Sequence, residues 1–157
     1  MGTRVRARGE AGFTLVEMMI VVLVIGILVA VALPNFLGAR ERALDTAAKA
    51  TARLGYTTGR AIYSSDRTYA AATITALSDF DNSVTWVDAA TPSADPTTVS
   101  RDITGNVFVI AVYSRSNTCF FLRDEPATAT TYGTLSNVAS TDCYAGNAAA
   151  VTRASQW

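Results

Sequence analysis

Phe13 to Leu33 reads FTLVEMMIVVLVIGILVAVAL, 21 consecutive residues with one charge, Glu17. A helix that crosses a bilayer needs about 20 mostly apolar residues at about 1.5 Å rise each, and this run has that length. Arg4, Arg6 and Arg8 precede it against a single acid, Glu10. Cytoplasmic flanks carry the excess of positive side chains, so the short tail is placed inside and the rest of the chain outside. Beyond Pro34 the composition turns to Ala, Thr and Ser, typical of a globular domain. The chain reads as an apolar stem followed by a soluble head. The simpler alternative is a cleavable secretory signal ending at the small-x-small site Ala30-Val31-Ala32, but the apolar run is long for one and holds a carboxylate.

Glu17 is what a plain signal explains least well. A carboxylate near the start of a membrane helix costs about 2–3 kcal/mol unless it is paired or lies at the interface. Cleavage between Gly12 and Phe13 would place a new α-amino group four residues away. The Glu17 carboxylate of one copy would then meet the Phe13 amine of another, an attraction strengthened by low dielectric. The competing reading is a solitary interfacial Glu facing lipid headgroups.

The run Gly12-Phe13-Thr14-Leu15-Val16-Glu17, behind a basic leader, resembles the processing and methylation site of type IV prepilins and type II secretion pseudopilins. The resemblance implies cleavage after Gly12 by a prepilin peptidase, N-methylation of Phe13, and Glu17 at the fifth mature position. Gly26 and Pro34 fall at the fourteenth and twenty-second mature positions, where type IVa pilins usually carry Gly and Pro. The specific match covers residues 9–36, and beyond it the likeness is architectural. Gly26 and Pro34 also act physically. Pro34 cannot donate to the carbonyl of Ala30 and its ring crowds that turn, while Gly26 costs about 1 kcal/mol of helix stability. Together they predict a stem that kinks or locally unwinds.

After Pro34 a helical stripe continues through Phe36, Arg40, Leu44, Ala47, Thr51, Leu54, Thr58 and Ala61–Ile62. Asp45 is spaced to pair with Lys49. Gly55 and Gly59 weaken the last turns, and the helix should end near Tyr63–Ser65, about 50 residues or roughly 75–80 Å from Phe13. Tyr69–Leu77 is ambiguous between a loop and a short helix, Val84–Val87 is a short strand, and Thr91–Arg101, with Pro92 and Pro96, is a loop. Val107–Tyr113 and Thr118–Arg123 form an antiparallel hairpin, and Thr128–Thr134 is a weaker strand or a loop. The fold expected is α+β: a long N-terminal helix, membrane-spanning in its first half, packed by its second half on a small antiparallel sheet of three or four strands, the pilin fold. The expected divisions are a leader, 1–12; a transmembrane and filament-core stem, 13–35; and an extracytoplasmic head, 36–157.

Cys119 and Cys143 are the only cysteines. An oxidising compartment and an even count favour a disulfide, with free thiols or a metal pair as the other readings. Such a bridge would resemble the one that bounds the C-terminal loop of type IV pilins.

Net charge is zero, with 13 basic and 13 acidic side chains. Removing residues 1–12 takes away three Arg and Glu10 and leaves 10 basic and 12 acidic. Nothing in this balance calls for a nucleic acid, which stays open as a partner. Histidine, the commonest general base, is absent, and no phosphate loop or nucleophile elbow is present, so the expectation is not an enzyme and no cofactor or metal. Asp79, Asp81, Asp124, Glu125 and Asp142 are candidate calcium ligands, but they lack EF-hand spacing and read first as solvated surface charge. Trp86, Tyr132, Tyr144 and Trp157 read as exposed aromatics, for packing, filament contacts, or contacts to surfaces or DNA.

The function implied is a structural subunit of an extracellular type IV pilus. It would sit single-pass in the cytoplasmic membrane, N-terminus inside, before assembly. Its partners would be membrane lipid, the prepilin peptidase, an inner-membrane assembly platform with its ATPase, and then copies of itself in a helical homopolymer. The alternatives are the major pseudopilin of a type II secretion system, and a minor or tip pilin whose head binds DNA or a surface. Motility, adhesion, DNA uptake and secretion are not distinguished by the sequence.

Overall fold

The computed structural model describes residues 12–150 and 153–157. Of the expected leader, residues 1–11 lie outside them. The chain divides into two compact units between Ala39 and Arg40. One helix, α1 (Leu15–Asp66), contributes to both and continues through Pro34.

Within the second unit, Arg40–Trp157, the packing face of α1 is built from small residues. Ala48, Ala52, Gly55, Thr58, Gly59 and Ile62 are buried, while Leu54 is 38% exposed. The expected stripe is therefore displaced by about one residue. The reason is steric. Large side chains come from the sheet, so the helix face must be small for the two to meet at close range. A methyl added at Gly55 would lie 3.1 Å from Ile110 Cδ1, and one at Gly59 only 2.4 Å from Phe108 Cε1. The two glycines weaken the helix locally and admit the core.

The sheet has six strands in sequential order: β1 (Thr85–Val87), β2 (Thr98–Thr104), β3 (Val107–Ser114), β4 (Thr118–Asp124), β5 (Thr131–Ser136) and β6 (Arg153–Ala154). This corrects the expected three or four strands. All neighbours are antiparallel except β1 and β2, which are parallel. The hairpin β3–β4 stands as expected, closed by Ser114 opposite Thr118, with Asn117 at φ 63° in the left-handed region that Asn tolerates. β2 begins inside the segment expected to be a loop. Asp95 Oδ1 accepts from Thr97 N (2.8 Å) and Thr97 Oγ1 (2.7 Å), a local turn that ends the loop before Thr98. Arg101, on the α1 side of the sheet, breaks the alternation that would have flagged this strand. The ambiguous stretch resolves into a 3₁₀ turn, Tyr69–Ala71, and a short helix, α2 (Ile74–Phe80), capped by Thr73 Oγ1 accepting from Ala76 N at 3.1 Å.

Both faces of β3 and β4 are covered. On the α1 side, Val99, Phe108, Ile110, Val112, Phe120 and Leu122 join Ala48, Ala52, Leu77 and Trp86 in one core. On the other side, Val109, Ala111, Cys119 and Phe121 pack against Cys143, Ala145 and Ala148. The disulfide Cys119–Cys143, with Cα atoms 5.5 Å apart, holds that C-terminal segment down. A backbone amide and a buried hydroxyl assist it: Ser93 N donates to Cys143 O at 2.7 Å, and Ser100 Oγ accepts from Ala145 N at 3.0 Å.

Three polar readings change with the fold. Asp45 accepts from Ser114 Oγ at 2.7 Å and from Ser116 Oγ, tying α1 to the β3–β4 turn, while Lys49 lies 5.0 Å over the Phe120 ring. Asp124 is not solvated surface charge. It is 2% exposed and accepts from Tyr69 OH, from Arg60 Nη1 at 3.1 Å and from Thr130 Oγ1 at 2.7 Å. Burial, and then the bond to this carboxylate, push the Tyr69 phenol well above its ordinary value. Trp86 is buried too, and Trp157 packs edge-on against Phe120 and Tyr132 while its Nε1 donates to Gly133 O at 3.0 Å.

The close approach at Gly59 sets a prediction. Phe108 is fully buried and stacked on Tyr69 at 5.1 Å, so it has no room to yield to a methyl group. Gly59→Ala should lower stability by about 1–2 kcal/mol, overpacking outweighing the gain in helix propensity. A thermal melt followed by near-ultraviolet circular dichroism should show the lowered Tm.

Candidate assembly site

The start of α1 is a capping box. Thr14 is the N-cap, and its carbonyl accepts the first helical bond from Met18 N at 3.3 Å. Its Oγ1 accepts from Glu17 N at 3.2 Å, and Glu17 Oε2 accepts in return from Thr14 N at 3.2 Å and Thr14 Oγ1 at 3.3 Å. Two amides that every helix start leaves without a partner are thereby satisfied reciprocally. The negative charge also lies in the first turn, where the helix dipole favours it. Thr14 was not singled out from the sequence, although Thr-x-x-Glu ahead of an apolar run is a recognised signature. Glu17 thus has a partner within its own chain.

Around this polar start the surface is apolar. All 18 large apolar side chains from Phe13 to Leu37 are at least 47% exposed, and Phe13 is 74% exposed. An 18-residue window of α1 has mean hydropathy 3.0 and no buried residue. Single exposed apolar side chains are ordinary, but a continuous surface of them marks contact with lipid or protein. Gly26 lies within this surface, and a methyl added there would meet nothing within 4 Å. Glu17, Phe13, Gly12 and Gly26 therefore share one exposed stretch, and no described residue of the first unit buries them. Cys119 and Cys143 are brought together far along the chain, in the head.

A long apolar helix opening on a capped glutamate, together with an α+β head, defines a type IV pilin-like protein. Residues 7–33 match the prokaryotic N-terminal methylation motif. It is 40% identical over 73 residues to the type IV major pilin protein PilA of Myxococcus xanthus, a match covering 46% of this chain and 30% of that protein. It is 56% identical over 39 residues to the type IV wide pilus major component PilA4 of Thermus thermophilus, covering 25% of this chain and 30% of that protein. The chain spans less than a third of the length of each of these relatives. No solved structure matches it.

The reciprocal cap predicts a separable role for Thr14. Thr14→Val removes the hydroxyl, and the first turn should lose about 1 kcal/mol, whereas Thr14→Ser should retain it. Amide exchange at Glu17 in detergent micelles should speed up severalfold in the Val variant alone.

Proposed function

We propose that this chain is the structural subunit of an extracellular type IV filament. It is cleaved after Gly12, methylated on Phe13, held in the cytoplasmic membrane by 13–33, and polymerised out of it. The observation that carries this reading is the uncovered apolar stretch from Phe13 to Leu37, coupled to a methylation motif over the same residues. A helix with an apolar surface on every side needs lipid or other helices around it. Before assembly lipid covers it, and in a filament the stems of neighbouring copies do. The head keeps its own core throughout, so the exchange of surroundings is confined to the stem.

Glu17 gives that exchange a direction. Its carboxylate has four lone-pair sites, and the cap to Thr14 uses only part of this capacity. The free amine of a neighbouring Phe13 supplies a charged donor, and in a dry stem bundle an ammonium–carboxylate bond adds a charge pairing that the neutral donors of the cap lack. Kinking or local unwinding at Gly26 and Pro34 lets the stems adjust as they pack.

Two measurements test the reading. The intact mass of membrane-held or filament protein should correspond to a chain that begins at Phe13 with one methyl group. A start at Leu33 or Pro34 would establish an ordinary secretory signal instead. Glu17→Val should leave cleavage and membrane insertion intact and cut filament yield sharply, because a buried Phe13 amine would lose its partner at a cost of several kcal/mol per subunit. Normal filament yield from that variant would remove the charge pair as the driving contact.

A further inference from the structure

Residues 88–97 join β1 to β2, and hydrogen bonds rather than apolar packing hold this loop. Its alanines, Ala89, Ala90 and Ala94, belong to neither of the two apolar clusters. Two local turns shape it. Asp88 Oδ1 accepts from the amides of Ala90 at 3.0 Å and Thr91 at 2.8 Å, and Asp95 Oδ1 accepts from that of Thr97. Bonds to the sheet attach it. Asp88 O accepts from Ser100 Oγ at 2.9 Å, and the fully buried Ser93 takes the amide of Tyr113 on its Oγ at 2.9 Å. Two further bonds reach the C-terminal segment: Ser93 N donates to Cys143 O at 2.7 Å, and Ala89 O accepts from Gly146 N at 3.1 Å.

The bridge between Cys119 and Cys143 keeps that segment in place, and both cysteines are fully buried. Loop and segment meet backbone to backbone: a methyl added at Gly146 would lie 3.0 Å from Ala89 O. Ser93 ties the loop to both sides of the bridge. Its amide reaches Cys143, and its hydroxyl holds Tyr113, the residue opposite Cys119 in the β3–β4 ladder. If the segment lifted away, the amide of the buried Ser93 would lose its acceptor, and a buried donor without a partner is costly. If the loop lifted away, Cys143 O and Tyr113 N would be left in the same position.

We propose that the loop and the bridge form a reciprocal latch. The bridge keeps the loop closed by holding the C-terminal segment against it, and the closed loop keeps reductants from the bridge. Linkage makes these one coupling: the bridge favours the closed loop by the factor by which the closed loop favours the bridge. Opening the latch by reduction follows a defined course. A thiolate of an external dithiol attacks one sulfur, the other cysteine leaves as a thiolate, and a second attack closes the dithiol into its cyclic disulfide. Two electrons pass to the protein, and Cys119 and Cys143 end as thiols with protons taken from water. The core on the α1 side of the sheet contains none of the latch residues, so it stays folded when the latch opens. The device belongs to the head alone and does not depend on the filament reading.

Amide exchange followed by mass spectrometry, on the full chain in detergent micelles, tests the first half of the latch. After reduction with dithiothreitol, residues 89–94 and 143–148 should exchange together about tenfold faster, the scale of one or two lost hydrogen bonds. Residues 108–112 should keep their protection. Unchanged exchange in the loop overturns the proposal, and so does loss of protection throughout the head. The second half is read from the rate at which dithiothreitol reduces the bridge in the folded chain. Gly146→Val presses on Ala89 O, and Ser93→Ala strips Tyr113 N of its acceptor. Each should speed reduction about tenfold while 108–112 stay protected. Parent-like rates in both variants, or reduction that proceeds only when 108–112 lose protection, overturn the shielding.

Discussion

Everything in the head depends on the fact that β3 is apolar on both faces. Val107-Phe-Val-Ile-Ala-Val-Tyr113 has no polar side to turn to water, so the sheet needs a cover above and a cover below. The second half of α1 supplies one. The C-terminal segment supplies the other, but Ala145 and Ala148 are too small to hold it there by burial alone. The disulfide supplies what they lack, because joining Cys143 to Cys119 restricts the unfolded chain by closing a loop of 24 residues, worth about 3 kcal/mol in the chain-entropy account. The Ser93 amide and the Ser100 hydroxyl complete the attachment by satisfying Cys143 O and Ala145 N, backbone groups that the segment would otherwise bury without partners.

How much of this was legible in the sequence follows from which signals are local. The apolar run, its single glutamate and the basic residues before it are contiguous, so the long helix and the candidate site at its start could be read directly. So could the hairpin, where two apolar strands flank a four-residue turn. The helix face could not. Hydrophobic periodicity finds large apolar side chains, but α1 meets Phe108, Ile110 and Trp86, and steric fit there selects Ala and Gly. Leu54 drew the stripe to one side for that reason. β2 escaped notice because Arg101 occupies an inward position, with its Nε buried and without a hydrogen-bond partner. Asp124 reads as surface charge in the sequence because its partners Arg60, Tyr69 and Thr130 converge only in the folded chain. The Thr14 cap is a local signal too, written in the Thr-x-x-Glu spacing ahead of the apolar run.

That cap alters how the membrane stage is understood. An isolated carboxylate among apolar residues would oppose residence in lipid. With Thr14 donating through both its amide and its hydroxyl, and with the helix dipole in its favour, the same carboxylate is partly compensated before any partner arrives. On the proposed function, this lowers the cost at which a precursor would wait in the bilayer. On the same reading, a neighbour's amine would take up the acceptor capacity that the cap leaves free, as a charged donor.

Stem and head thus answer the same problem, the covering of apolar surface, in opposite ways. The head covers its own: the two faces of β3 and β4 are closed by α1 and by a stapled segment, and Asp124 and Tyr69 seal a polar seam within the same chain. The stem leaves its surface open, and on the proposed function its cover would come from outside, first lipid and then other copies. Because lipid tails are as apolar as the side chains, exchanging one cover for the other releases little hydrophobic free energy. Packing and polar contacts must decide the outcome. In a stem whose only charge is Glu17, that places the decision at the first turn of the helix, where the glutamate can keep its cap and still accept a neighbour's amine.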